Sequence, residues 1–203
     1  KKIFGLLLSV GFSSIGFIAA ITVTVLAARE VSNNPLFLGF PNAVGVGGAF
    51  LGTQMFYKIS KKYSRLAALS LTFFVGALGS VVLFYSLIID SFILLMIGAL
   101  VLGFGQSATL QSRYAASFVA SEKFKATALS LAVWFSVFGS VFGPRLVSVY
   151  SDYFDNLFNS ELIVGYIVAM VGMLFASASV LTFTSSNSSL REPAEVEEVA
   201  EKA

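Results

Sequence analysis

The sequence has no cysteine and no histidine. Disulfides, thiolate metal sites and imidazole acid–base chemistry are therefore excluded at once. Charge is scarce as well. Lys, Arg, Asp and Glu make up 12% of the chain, about half the ~25% usual in a soluble domain. No acidic residue falls between the ends of any long apolar run, so an intramembrane proton relay or carboxylate-based enzyme has nothing to work with. The net charge of +2 gives no basic field for a nucleic acid partner, and neither a cofactor nor a metal is expected.

What remains is apolar bulk: 57% hydrophobic residues, 21 of them phenylalanine, with a mean hydropathy of +0.86. The apolar residues fall into blocks about as long as a bilayer is thick, roughly 20 residues. They predict an all-α integral membrane protein with six transmembrane helices, at about 3–28, 35–57, 66–89, 92–117, 126–150 and 161–184. Strict polar/apolar alternation is missing, which rules out barrel strands. Residues 185–203 are serine-rich and then acidic, and read as a polar cytoplasmic tail or linker.

Lysine and arginine set the orientation. Lys1, Lys2, Lys58, Lys61, Lys62, Arg65, Lys123 and Lys125 fall on one side, and Arg29 alone lies in the opposite loops. Both termini are thus expected in the cytoplasm, and the protein in the inner cell membrane, with lipid as its surroundings.

The fourth run carries GFGQSATLQSRYAAS, polar residues at membrane depth. At 100° per residue Gln106, Thr109, Arg113 and Ser117 share one face. That face is costly against lipid, so it is expected to look at other helices or at a wet cavity. Gln106 and Thr109 are candidates for a substrate pathway and Arg113 for a cytoplasmic gate. Snorkelling of Arg113 and an interhelical bond from Gln106 are the plainer alternatives. Two further small, polar runs add Ser13 in the first helix and Asn42 in the second, which reads PNAVGVGGAFLG. In the fifth, GSVFGP places Gly139 and Gly143 four apart and Pro144 directly after. This predicts a close helix contact and a bend.

These features together resemble the N-terminal six-helix half of a bacterial major facilitator superfamily transporter. GSVFGP is similar to the core of that family's fifth-helix motif, often associated with antiporters. QSRYAAS is similar to a subgroup with an arginine–tyrosine–alanine–alanine stretch, where an acidic residue often follows; here Phe118 stands near that place. In the loop GTQMFYKISKKYSR, the resemblance makes Lys61, Lys62 and Arg65 equivalents of the family's loop cations and assigns them to the gate.

The resemblance implies two inverted three-helix repeats, alternating access for an unknown small-molecule substrate, and efflux antiport as one mode. It also implies a C-terminal six-helix partner half, from the same gene, a separate chain or a second copy. Because the chain starts at Lys1 without methionine and stops near the expected central linker, it is read as a piece of a longer product. A non-transporting six-helix module, an assembly or sensor subunit, is the alternative.

Overall fold

The computed structural model describes residues 2–32, 35–158 and 160–184. The tail 185–203 and Lys1 lie outside the described residues. Within them the chain is all-helical. Six helices follow one another: α1 (Lys2–Ser32), α2 (Phe40–Lys62), α3 (Arg65–Ile88), α4 (Phe92–Val119), α5 (Lys125–Phe158) and α6 (Ile163–Thr184). Short 3-10 turns at Pro35–Phe37 and Glu122–Phe124 lead into α2 and α5.

Local chemistry fixes the sharp ends. Ser64 caps α3, its hydroxyl accepting from the Ala67 N–H at 3.1 Å, and Ser91 caps α4 by accepting from Leu94 at 3.4 Å. Each meets a backbone donor that the first helical turn leaves orphaned. Between α3 and α4, Asp90 takes a left-handed conformation (φ 51°). The Ser91 N–H reaches back to the Ser86 carbonyl at 3.0 Å, closing the α3 end as a Schellman turn.

Four ends differ from the sequence reading. The first helix runs on to Ser32, not 28. The second helix starts at Phe40, not 35, because Pro41 sits in its first turn, where a missing N–H costs nothing. It also runs on through Lys58, Lys61 and Lys62. The fifth helix continues to Phe158, through most of the segment read as a loop after 150. No glycine or proline interrupts 151–158. At 1.5 Å per residue α5 is roughly 51 Å long, so about 20 Å exceeds a ~30 Å hydrocarbon core.

Five of the helices are long and apolar enough to cross a membrane: those spanning Ile3–Ser32, Arg65–Ile88, Phe92–Val119, Lys125–Asp155 and Ile163–Thr182. The protein is a multi-pass membrane protein. α2 falls short of that apolarity because Asn42, Thr53, Gln54 and four glycines dilute it.

The packing is built on α1 and α4. α1 lies along α5 and α6; α4 lies along α2 and α3; α3 meets α6, and α1 meets α4. Glycines set the separations. At Gly48 a Cβ would collide with the Leu100 carbonyl, so α2 rides directly on the α4 backbone. At Gly76 it would come 2.6 Å from the Gly105 Cα, so α3 and α4 touch backbone to backbone. Small residues at such crossings are how helices bind one another without a hydrophobic driving force.

Two apolar clusters lie toward opposite ends of the bundle. One gathers Val23, Leu83, Leu95, Ile163 and Tyr166; the other Leu7, Phe56, Leu69, Phe73 and Val180.

Candidate functional site

Most hydroxyls in the helices are answered by their own helix. Ser9, Thr24, Thr72, Ser86 and Ser136 each donate to a carbonyl three or four residues back, at 2.6–2.8 Å. Such groups need no neighbour and carry no functional message. The informative polar groups are those that reach across helices or find nothing.

Thr109 reaches across. Its Oγ1 lies 3.0 Å from the Ser13 hydroxyl and 3.0 Å from the Gly105 carbonyl. Ser13 in turn donates to the Val10 carbonyl at 3.2 Å. This pair ties α4 to α1. Ser70 and Ser177 do the same for α3 and α6, with Oγ atoms 2.9 Å apart and Ser177 donating to the Ser70 carbonyl at 3.0 Å.

Beside the Thr109–Ser13 tie is a cavity of about 230 Å³. α4 supplies Gln106, Thr109, Leu110 and Arg113; α1 supplies Ser14, Phe17 and Ile18; α5 supplies Ser136, Val137 and Ser140. Gln106 and Arg113 are half-buried, and Thr109 is buried. Two polar atoms in this wall, the Ser14 hydroxyl and Arg113 Nε, are shielded from solvent and have no hydrogen-bond partner among the described residues. Among the described residues no aspartate or glutamate lines the cavity.

The α5 wall is positioned by the GxxxG pair. A Cβ at Gly139 would sit 2.6 Å from the Ser14 Cβ, and one at Gly143 would sit 2.9 Å from the Ile15 carbonyl. Both glycines therefore face α1. Pro144 is inside α5, and the helix is continuous around it. Lacking an N–H, it removes the usual i+4 donor from the carbonyl of Ser140, a cavity residue.

Of the residues singled out in the sequence, Gln106, Thr109 and Arg113 come together in one wall. Ser13 sits behind that wall as Thr109's acceptor. Asn42 is half-buried in the first turn of α2 and does not line the cavity. Ser117 points its hydroxyl back to the Tyr114 carbonyl at 2.8 Å. Lys61, Lys62 and Arg65 are not brought to the cavity either. Lys61 lies over the Tyr57 ring at 4.5 Å, Lys62 over Tyr63 at 5.4 Å, and the Arg65 guanidinium over Phe118 at 4.4 Å. The last pair joins the start of α3 to the end of α4 nearest Arg113. Ser14, Ser136 and Ser140 were missed by sequence reasoning. A serine in an apolar run is ordinarily satisfied by its own helix, and only the packing of α1 against α5 singles these three out.

The chain aligns with bacterial transporters over most of its length. It is 32% identical over 176 residues to the uncharacterized MFS-type transporter YdeG of Bacillus subtilis, covering 87% of this chain and 41% of that protein. The chain belongs to the major facilitator superfamily. A second superfamily relative, the uncharacterized MFS-type transporter YddS of Bacillus subtilis, is 30% identical over 172 residues, 85% of this chain and 39% of the relative. The riboflavin transporter RfnT of Brucella anthropi is 26% identical over 151 residues, 72% of this chain and 38% of its own length. The chain thus spans about 40% of the length of the relatives it matches. No family model and no solved structure matches it.

Proposed function

We propose that the chain is the N-terminal six-helix half of a secondary transporter in the inner cell membrane. It moves a small molecule by alternating access, and the α1–α4–α5 cavity is its share of the substrate pathway. The observation that carries this reading is the cavity itself. A glutamine in the middle of a long apolar helix and an arginine two turns further along it share a half-buried wall. Facing lipid would leave the amide unmet and strip the guanidinium of water, and a water-filled pathway removes both costs.

Three features agree with the proposal. First, exchanging α1, α2 and α3 with α4, α5 and α6 leaves the packing pattern unchanged. α1 pairs with α5 and α6 as α4 pairs with α2 and α3, while the α1–α4 and α3–α6 pairs map onto themselves. This is the pattern expected of two inverted three-helix repeats, with α2 crossing the membrane as α5's counterpart despite its lower apolarity. Second, a volume of about 230 Å³ is below the ~300–1,000 Å³ of a complete small-molecule site, which suits a site finished by a second half. Third, the superfamily relatives are named as transporters, one of them for riboflavin.

In this scheme the C-terminal six-helix half is the partner, Gln106 and Thr109 meet the substrate, and Arg113 gates the end marked by the Arg65–Phe118 contact. Efflux by proton antiport requires a carboxylate that titrates within the membrane. In the five described spans the only carboxylates are Glu30, Asp152 and Asp155, each within three residues of a span's end, so coupling of that kind is assigned to the partner half.

The test is reconstitution of the full-length protein in vesicles bathed in a bacterial metabolite extract, read by mass spectrometry. Protein-dependent accumulation of at least one compound, changed by Gln106→Leu, is expected. An extract no different from that of protein-free vesicles contradicts the proposal.

A further inference from the structure

The cavity's unmet groups have a chemical sign. Among the described residues Arg113 is the one cation in its lining, and no carboxylate lies there to neutralise it. Its Nε is shielded and unpartnered among the described residues. Ser14, in the facing α1 wall, is only 4% exposed, yet its hydroxyl also has no partner. Most buried serines, among them Ser9, Ser86, Ser107 and Ser136, bond back to their own helices; Ser112 shares Ser14's state, but only Ser14 faces the cavity. A buried hydroxyl and a buried guanidinium N–H left without acceptors in one small cavity are donors waiting for an acceptor. Around them the wall is apolar: Phe17, Ile18, Leu110 and Val137.

Resting on the transporter reading above, we infer that the site takes a small organic anion, a molecule with a carboxylate on a compact apolar body. The carboxylate sits side-on against Arg113, whose Nε and terminal nitrogen form a fork matched to two coplanar oxygens. The Ser14 hydroxyl supplies a further donor. The apolar body lies along Phe17, Ile18, Leu110 and Val137. Gly139 is part of the device, because its missing side chain admits the Ser14 Cβ and keeps that hydroxyl at the cavity wall.

The absence of cysteine from this chain makes a direct test available. In the full-length protein, with any cysteine outside this chain changed to serine, Ser140→Cys places one thiol in the lining. It is reacted with a sulfonate-bearing and a trimethylammonium-bearing methanethiosulfonate, each rate divided by that reagent's rate with a free small thiol. A single-sign cleft concentrates its counter-ion by about ten-fold or more. The sulfonate reagent should therefore win by about ten-fold, and Arg113→Gln should abolish the preference, whereas Arg113→Lys should keep most of it. Hydrocinnamate should slow the labelling, and its uncharged amide, of the same shape, should not.

A preference for the cationic reagent, or a sulfonate preference that survives Arg113→Gln, overturns the inference while leaving a wet pathway intact. Equal protection by acid and amide overturns it too. No labelling by either reagent overturns the transporter reading itself.

Discussion

At the scale of single residues, the decisive contrast is between polar groups the bundle satisfies and those it does not. Thr109 is structural as well as cavity-facing. Thr109→Val removes its bond to Ser13 and should lower the unfolding free energy in detergent by about 0.6 kcal/mol, the usual size of an interhelical hydrogen bond in a membrane bundle. Gln106 and Arg113 have no such duty in the described structure. In the full-length transporter, Gln106→Leu should change substrate affinity, seen as a KM effect, whereas Arg113→Gln, which removes both the anion's fork and the gate, should raise KM and lower kcat together.

Phe118 has a different place. Its ring lies under the Arg65 guanidinium at 4.4 Å. Phe118→Ala should destabilise the α3–α4 junction by about 0.5–1 kcal/mol as a partly exposed cation–π pair. Thermal unfolding in detergent checks this, and an unchanged midpoint would show that the contact contributes nothing.

At the scale of helices, glycine placement decides which surfaces can meet. Gly139 and Gly143 let α5 approach α1 so closely that a side chain at position 139 has no room beside Ser14. Gly139→Leu should push the helices apart, cut expression or thermal stability, and change labelling of Ser140→Cys in the cavity. Normal stability with unchanged labelling would show the glycine pair to be dispensable.

The helices also show what the sequence could and could not tell. The ends of α3, α4 and α6 were legible to within two residues, because serine caps and the Asp90–Ser91 turn bound the apolar runs. The ends of α1 and α5 and both ends of α2 were not. Apolarity stops at the membrane surface, whereas a helix continues until a backbone signal ends it, and residues 151–158 contain none. The α4 wall of the cavity was legible too, since Gln106, Thr109 and Arg113 are polar, large and spaced for one face. The α1 and α5 walls were hidden, because which face of each helix meets which neighbour is settled by glycine contacts between segments more than a hundred residues apart.

At the scale of the whole molecule, two separate asymmetries organise the account. The cations of the sequence crowd one side of the membrane, which sets the expected topology. A cysteine at Ser151 should react with an impermeant reagent in intact cells, and one at Ser121 only after the cells are opened; the reverse pattern would invert the chain. The strongest helix contacts map onto one another when α1, α2 and α3 are exchanged with α4, α5 and α6, yet the cavity does not, because it gathers α1, α4 and α5 without α2. The central claim is that the polar wall of α4 lines a water-filled route reached from each side of the membrane in turn. It is tested most directly at Gln106→Cys in the full-length protein, labelled by an impermeant thiol reagent from outside in intact cells and from inside in inverted vesicles. The account predicts reaction from both faces. A thiol inert from both, with the protein folded and inserted, would place Gln106 in a dry helix contact and contradict it.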